Sequence, residues 1–491
     1  MIEARRSLLA TLGAAALVLE ACAAPAPPVS ATATTSPSAA VAAPLSGTLA
    51  ITPTHGLARS RVEVSGSTFP AGKTVTFTWV TVNGSYELTD AIKFAGRKYT
   101  EATWQIGSSA TAAADGTIAT SFTIPEDFGG VHDIIAIVDG RPYAKGGFQV
   151  DQRFSMTPES GPVGTPIEIL LDGVGWRQWE STWQVVYDNH LTGYLSAVTT
   201  RGSARATIRA SGPVGPHTVD ILRGNMGTPY LNPQQSPFPD VPWANFTFNV
   251  TEDKPVASML VDPLPAPGRS QPGHGVLPSS EGVAILPSRG AVGTPAVVSG
   301  RGYKPNLAVE LRWQTMVGNR VSGSGFSPKV VPLAKVTTSA QGTFEQKLAI
   351  PDDLGGAHTV LAVVDGEERG KAGFLIVPSP YSISPSRAQA GAVITVRVKG
   401  VGWTEHDNTY AVIYDNAYLG YACGFNSQGD VTFSLRATGA PGTHLIEFIP
   451  TIYTGPNEMP LSYRMPQLTY RQDHPGSDLP AIRFAFEITA P

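Results

Sequence analysis

The stretch Ile-Pro-Glu-Asp-Phe-Gly-Gly-Val-His-Asp at 124–133 returns almost unchanged as Ile-Pro-Asp-Asp-Leu-Gly-Gly-Ala-His-Thr at 350–359. Further pairs at this spacing are Gly-Val-Gly-Trp at 173–176 and 400–403, and Tyr-Asp-Asn at 187–189 and 414–416. All of these matches lie 226 or 227 positions apart. A near-constant offset over so long a stretch indicates an internal duplication, so the chain has two halves of common design.

Each half contains two copies of a shorter pattern: a proline, two glycines, an alternating apolar stretch and a Gly-aromatic or similar ending. The pattern begins near Pro53, Pro158, Pro287 and Pro385. These four starts predict two domain types, A and B in the first half and A′ and B′ in the second. The predicted bounds are A at 47–150, B at 151–252, a Pro/Gly-rich linker at 253–281, A′ at 282–377 and B′ at 378–491.

The local patterns predict strands. Residues 75–79 and 394–398 alternate apolar and polar side chains with a period of two, which is the period of a strand. Asp139-Gly140 and Asp365-Gly366 each follow an apolar run, a strong signal for a two-residue hairpin turn. The 51 glycines and 42 prolines favour many short strands joined by turns. We therefore expect an all-β chain of four tandem immunoglobulin-like β-sandwich domains.

The opening phrase of each unit supports a family resemblance. Thr-Pro-Glu-Ser-Gly-Pro-Val-Gly-Thr at 157–165, followed by Gly175-Trp176, resembles the start of bacterial immunoglobulin-like domains of the IPT/TIG type. Such motifs are turn chemistry, so the resemblance implies the sandwich fold and says little about function. The Cys…Trp…Cys spacing of antibody domains does not occur.

The N-terminus has the pattern of an export signal. Arg5 and Arg6 precede an apolar run at 8–19, which is long enough for a signal peptide and too short to span a membrane. The run ends in Leu-Glu-Ala-Cys, which resembles a bacterial lipobox and implies that Cys22 is diacylated after removal of residues 1–21. Glutamate at the second position departs from that pattern, and the alternative is an ordinary secretory signal cut near Ala23 or Ala24. The twin arginine leaves Tat or Sec export open.

Residues 22–46 contain almost only Ala, Pro, Ser, Thr and Val after the cysteine. Such a segment cannot form an apolar core, so we predict a disordered tether between a lipid anchor and the folded domains. The expected location is the cell envelope, anchored through Cys22 and facing outside the cytoplasm. In a cell with an outer membrane, that membrane is the expected destination.

Composition excludes several classes of function. The formal net charge is −4 and no basic run occurs, so nucleic acid is not an expected partner. Two cysteines so far apart form no disulfide framework, and no Cys/His metal spacing occurs. The catalytic motifs of common hydrolases and the phosphate-binding glycine loop are missing from the sequence. We predict no cofactor, no metal and no enzymatic activity.

Four of the nine histidines, His132, His217, His358 and His444, hold equivalent places after a glycine-rich turn and at the start of an apolar strand. No second histidine, cysteine or carboxylate pair recurs beside them. A structural role is therefore favoured over a catalytic or metal-binding one, with each ring fixing a loop by a hydrogen bond.

Asp188 and Asp415 lie in Tyr-Asp-Asn between two apolar runs, which is a hairpin-turn pattern. A glycosidase would need two carboxylates a few ångströms apart, and each B-type domain offers one in this motif. We predict a structural role in the turn, with a weak metal site nearby as an alternative.

Two long loops, at 224–243 in B and 453–480 in B′, are the candidate binding elements. They are rich in the Tyr, Trp and Arg that are enriched at binding hot spots. The alternative, that they pack on a neighbouring domain, is equally favoured. The candidate residues are Tyr230, Phe238, Trp243, Tyr453, Tyr463, Arg464, Tyr470 and Arg471.

Three functions remain. The first is a non-catalytic surface protein that binds or scaffolds in the envelope, with a surface glycan or an envelope protein as partner. The second is a carbohydrate-binding lipoprotein whose loop aromatics stack on sugar rings, and the remote third is a hydrolase. Exposed loop aromatics would favour ligand binding, and packed ones a structural role.

Overall fold

A computed structural model describes residues 45–90, 92–177, 179–225, 228–235, 243–262, 277, 279–319, 325–453, 464–476 and 479–491. The predicted signal peptide, Cys22 and nearly all of the predicted tether lie outside these ranges. No helix in the described ranges is long and apolar enough to cross a membrane.

The first sandwich, in predicted domain A, is built from eight strands. They are β1 (Thr48–Thr52), β2 (His55–Gly56), β3 (Arg61–Ser67), β4 (Thr74–Thr89), β5 (Lys93–Thr111), β6 (Ile118–Thr123), β7 (Gly130–Val138) and β8 (Arg141–Val150). One sheet has the order β1-β3-β6, and the other has the order β2-β8-β7-β4-β5. The short β2 pairs parallel with β8.

The second sandwich, in predicted domain B, repeats this layout. Its elements are β9 (Arg153–Thr157), β10 (Ser160–Gly161), β11 (Pro166–Asp172), β12 (Trp183–Tyr187), β13 (His190–Leu195), β14 (Ser203–Arg209), β15 (Gly215–Asn225), β16 (Thr228–Pro229), a 3-10 helix (Pro233–Gln235) and β17 (Ala244–Val250). The sheet orders are β14-β11-β9 and β10-β17-β15-β12-β13, with β16 added on β15.

The second half begins after β18 (Met259–Val261). The strands of A′ are β19 (Val283–Leu286), β20 (Arg289–Gly290), β21 (Pro295–Gly300), β22 (Ala308–Gly318), β23 (Phe326–Thr337), β24 (Phe344–Ala349), β25 (Gly356–Val364) and β26 (Glu367–Ile376). Its sheets run β19-β21-β24 and β20-β26-β25-β22-β23, the arrangement seen in A.

The strands of B′ are β27 (Ser379–Ser384), β28 (Arg387–Gln389), β29 (Val393–Lys399), β30 (Thr409–Tyr414), β31 (Ala417–Cys423), β32 (Val431–Arg436), β33 (Gly442–Thr451) and β34 (Ile482–Thr489). The sheet orders are β27-β29-β32 and β18-β34-β33-β30-β31, with β28 on β34. The expected all-β class of tandem immunoglobulin-like sandwiches is confirmed.

Period-two alternation explains why these segments form sandwiches. In β3, Val62 and Val64 are buried while Arg61 and Glu63 are exposed, and the buried side chains face the second sheet. In all four units, the proline of the repeated opening phrase follows a cis peptide bond.

The predicted linker at 253–281 is partly built into the last domain. Its residues 259–261 form β18, which pairs antiparallel with β34. Asp262 directly follows and is buried. The pairing gives β34 a neighbour on its outer side, so this part of the linker is an edge strand of B′. Its Pro- and Gly-rich composition gave no strand signal.

Successive sandwiches meet at equivalent glycines in the two halves. Gly129 donates its N–H to the Val174 carbonyl at 3.1 Å, and Gly355 does the same to Val401 at 3.0 Å. A Cβ at Gly129 would lie 1.9 Å from the Gly173 oxygen. Only glycine allows this approach, which explains the first glycine of the repeated Gly-Gly pair.

We predict that Gly355→Ala weakens the contact between A′ and B′, because its Cβ would lie 2.0 Å from the Gly400 carbonyl oxygen. The expected loss of stability is about 2 kcal/mol, the usual range for overpacking. Chemical denaturation followed by tryptophan fluorescence measures it. Gly147→Ala is the matched control, since its nearest neighbour would be 3.8 Å away. An equal effect of both variants would contradict the steric explanation.

Candidate functional site

The B′ loop lies beside the edge strand of domain B. Tyr194 on β13 donates its N–H to the Pro466 carbonyl at 2.9 Å, and the Leu468 N–H donates to the Tyr194 carbonyl at 2.9 Å. These two bonds form a parallel bridge between Tyr194 and Gln467. The residues around Pro466 therefore extend the sheet of B as a short additional strand.

Asp473 in the same loop is the centre of a buried hydrogen-bond network. Its Oδ1 accepts from the Thr199 N–H at 2.8 Å and the Thr199 hydroxyl at 2.9 Å. Its Oδ2 accepts from the Ser196 hydroxyl at 2.6 Å and the Val198 N–H at 2.9 Å. With the side chain 1% exposed, these donors replace the water that a carboxylate would otherwise need.

Domain A joins this network through the tip of its long β4–β5 hairpin. The Tyr86 hydroxyl donates to Asp473 Oδ2 at 3.0 Å and accepts from Gln467 Nε2 at 3.0 Å. On the other strand, the Phe94 N–H donates to Glu405 Oε2 at 2.8 Å. Tyr86 and Phe94 also share an apolar cluster with Val198 of B and Ile452 of B′. Three sandwiches thus meet at one loop.

A second buried cluster is ionic. Asp262 pairs with Arg483 of β34, and its Oδ1 also lies 3.2 Å from Arg209 Nη2 of domain B. Arg483 Nε donates to Glu447 Oε1 at 3.1 Å, and the Tyr470 hydroxyl donates to Asp262 Oδ2 at 2.9 Å. The cluster connects the linker, domain B and domain B′.

Electrostatics favour the ionised form of this cluster. Burial has the largest effect on the pKa of Asp262 and raises it. The charge and hydrogen bond of Arg483, with Tyr470 and Arg209, outweigh burial, so the pKa of Asp262 lies below its usual value. Removing one partner would leave a buried charge unpaired, which is strongly destabilising.

The predicted B′ loop residues separate into buried and exposed groups. Tyr470 is 7% exposed and belongs to the joint core of B and B′, whereas Arg471 is exposed. Tyr453 stacks edge-on against Phe425 at 4.8 Å, and the Arg464 guanidinium lies 5.1 Å from the Tyr453 ring centre. Tyr463 lies outside the described residues.

The predicted B loop residues are more accessible. Tyr230 is 37% exposed and Trp243 is 36% exposed, while Phe238 lies outside the described residues. The structure therefore does not bring the six described candidates into one site. In B′ the described loop mainly packs between domains, and in B it presents two aromatic side chains.

Sequence reasoning missed the aromatic and arginine cluster around Tyr421. Tyr421 on β31 is 44% exposed, and its ring lies 5.6 Å from the Arg464 guanidinium. Tyr421 follows Gly420 in the repeated Gly-Tyr pair, and its counterpart Tyr194 is buried. The signal that could have found it is the uncharged composition of this edge strand.

Asp473 and Asp262 were also missed, and each is a single carboxylate in a segment rich in turn residues. Neither has a recurring counterpart in the first half, so the repeat alignment gave no signal for them. The donors to the Asp473 carboxylate lie 274 to 387 positions away in the sequence, and the Tyr470 donor to Asp262 lies 208 positions away. Local sequence patterns do not report contacts at such separations.

In the A-type domains, the repeated histidines connect a turn to the central strand. His132 Nε2 lies 2.8 Å from the Phe128 carbonyl and Nδ1 lies 3.0 Å from the Val80 carbonyl. The ring stacks on Trp79 at 4.4 Å, and the Trp79 indole donates to Asp127 at 2.7 Å. His358 repeats this arrangement with Trp313 and Asp353.

In the B-type domains, the histidine Nδ1 faces the carboxylate of a hairpin aspartate instead of a strand carbonyl. His217 Nδ1 lies 2.5 Å from Asp188 Oδ2, and His444 Nδ1 lies 2.6 Å from Asp415 Oδ2. Asp188 Oδ1 also accepts the Thr218 N–H at 2.9 Å. Both aspartates have positive φ, so they form the hairpin turns themselves. All four histidines and both aspartates thus form hydrogen bonds within their own domains, and their structural role stays a prediction.

No group of three or more His, Cys, Asp or Glu side chains in the described ranges could hold a metal ion. The arrangement of the described site is suited to holding domains together and to presenting aromatic and edge-strand surfaces.

No protein-family model matches this sequence, and no curated protein matches it. Solved structures that match include invasin, a bacterial integrin-binding protein, at 13% identity over 90% of this chain and 79% of that chain, with a TM-score of 0.20. A protein from Corynebacterium diphtheriae named as membrane-anchored matches at 12% identity over 91% of each chain, with a TM-score of 0.18. Salmonella alpha-2-macroglobulin matches at 9% identity, and this chain covers 31% of it, with a TM-score of 0.18. At these TM-scores the likenesses carry no argument about function.

The two kinds of histidine should respond to pH in opposite directions. Burial lowers the pKa of His358, and the Asp353 charge offsets only part of this effect. Burial also lowers the pKa of His444, but the hydrogen bond and charge of Asp415, the Ala440 carbonyl and the charge of Asp253 raise it overall. A raised folded pKa stabilises at low pH and a lowered one at high pH.

We therefore predict that the free energy of opening of β33 falls as pH rises above about 6.5, and that of β25 falls as pH drops below about 6.5. Hydrogen exchange corrected for intrinsic rates measures both strands. His444→Gln should flatten the first trend and His358→Gln the second. A common direction for both strands would contradict the assignment.

Proposed function

We propose that this chain is a non-catalytic, lipid-anchored protein of the bacterial cell surface that acts as a binding or scaffold module of the envelope. The IPT/TIG resemblance and the lipobox-like Leu-Glu-Ala-Cys at 19–22 belong to this proposal. Within it, Cys22 carries the lipid, the tether separates the sandwiches from the membrane, and the partner is an envelope protein or glycan.

The observation that carries the proposal is the packing of the B′ loop. Its residues 464–476 bond to domains A and B through buried groups, including Asp473 and Gln467. A chain of independent domains would not need these contacts. Holding three sandwiches together gives a defined surface, which is the property that a scaffold or binding module requires.

A carbohydrate-binding function is the second candidate. Tyr421 and Tyr453 flank the Arg464 guanidinium, and Tyr421 is 44% exposed. Aromatic faces next to hydrogen-bond donors suit a sugar ring. Glycan-array binding that Tyr421→Ala abolishes would favour this candidate.

The anchor is tested by metabolic labelling with an alkyne fatty acid in a bacterial host, followed by membrane fractionation. We expect label on the full-length protein and none on Cys22→Ser, because the thiol is the acceptor in the proposed modification. Cys423→Ser is the matched control and should keep its label, since it removes the other cysteine. Label on Cys22→Ser, or none on the unaltered protein, would contradict the anchor.

A further inference from the structure

Domain B shows how an edge strand of this protein is completed. Tyr194 lies opposite Gln184 in the β12–β13 pair, and its N–H and carbonyl bond outward to Pro466 and Leu468. Gly193 makes room for this segment: a Cβ there would lie 2.5 Å from the Pro466 oxygen and 2.9 Å from Leu468 Cγ. The captured segment covers the edge, so Tyr194 is only 2% exposed.

Domain B′ has the same edge in the same register. Tyr421 lies opposite Ala411 in the β30–β31 pair, as Tyr194 lies opposite Gln184. Because Tyr421 holds the same register as Tyr194, its N–H and carbonyl point away from β30. In the described ranges, no strand or isolated bridge pairs with the outer side of β31.

The side chains along this second edge are open where those of the first are covered. Leu419 is 58% exposed and Tyr421 is 44% exposed, while their counterparts Thr192 and Tyr194 are 1% and 2% exposed. A Cβ on Gly420 would meet nothing within 4 Å, in contrast to Gly193. Domain B′ thus has the glycine and the strand register that let β13 bind residues 466–468. In the described ranges, no equivalent segment pairs with β31.

The other two edges of this type carry residues that oppose strand addition. β5 of domain A contains Lys93, Arg97, Lys98 and Glu101, and β23 of A′ contains Pro328, Lys329, Pro332 and Lys335. Charges and prolines are the usual protection of an edge. β13 and β31 contain neither Asp, Glu, Lys, Arg nor proline. The edge of β13 is covered by residues 466–468 of the same chain. The edge of β31 has the same lack of protective residues.

We infer that the outer edge of β31 captures an extended, uncharged peptide segment of a partner protein, which adds parallel to it as residues 466–468 add to β13. The captured segment would place an apolar side chain over Gly420, as Leu468 lies over Gly193. Main-chain bonds at Tyr421 would give affinity, and the side chain over the glycine would give selectivity. This inference deepens the proposed binding function and rests on it.

The probe is the synthetic peptide Met-Pro-Gln-Leu-Thr-Tyr, the sequence of residues 465–470. We expect saturable binding to the full-length protein, measured by fluorescence anisotropy of labelled peptide. N-methylation at the leucine should weaken binding at least tenfold, because the Leu468 N–H is the donor to the strand in domain B. N-methylation at the glutamine is the matched control and should leave binding unchanged, since that N–H points away from the strand.

Protein variants locate the site. Tyr421→Pro removes the outward N–H without removing a bond to β30 and should abolish binding, whereas Tyr421→Phe should retain it. Binding that survives both Tyr421→Pro and leucine methylation would overturn the inference, as would the absence of binding at about 1 mM peptide. A reversible dimer that Tyr421→Pro dissolves, without peptide binding, would also overturn it, because a second copy would then be the occupant. None of these results depends on the lipid anchor, so the labelling of Cys22 is judged separately.

Discussion

A carboxylate taken out of water needs hydrogen-bond donors in its place, and Asp473 receives them from two other sandwiches. Thr199, Ser196 and Val198 of domain B and Tyr86 of domain A all donate to it. The burial of this charge is favourable only while all three domains are together. The position of the β4–β5 hairpin, the coverage of β13 and the course of the B′ loop all depend on this condition.

The internal duplication explains why the chain has two A-type and two B-type domains. The differences between the two halves explain how these domains contact one another. Both B-type domains keep the histidine and hairpin aspartate that fix their turns. In B′ the long loop carries Asp473 and the segment around Pro466 to domain B. One B-type edge is therefore covered and the other exposed, so two copies of one design present different surfaces.

The fold was predictable from the sequence because it depends on local chemistry. Period-two alternation gave the strands, Asp-Gly and Asp-Asn pairs gave the hairpins, and the constant offset gave the order of domains. The role of Gly129 was not predictable, because its constraint is a carbonyl oxygen in the next domain.

The candidate site was predicted only in part, since long-range contacts decide it. Binding by the B′ loop stays a prediction, and the composition of this loop could not separate Tyr470, which is buried, from Arg471, which is exposed. The strand β18 was missed because it gains its partner from β34, more than two hundred residues later. The open edge at Tyr421 became visible only by comparison with Tyr194 in its covered state.

The most direct test of the account is hydrogen exchange in the full-length protein carrying Asp473→Ala. If the carboxylate holds the three sandwiches together, protection should fall at residues 84–88 of domain A and 194–199 of domain B as well as in the B′ loop. Loss of protection confined to B′, with domains A and B unchanged, would contradict the account and show that the sandwiches are held together by other contacts.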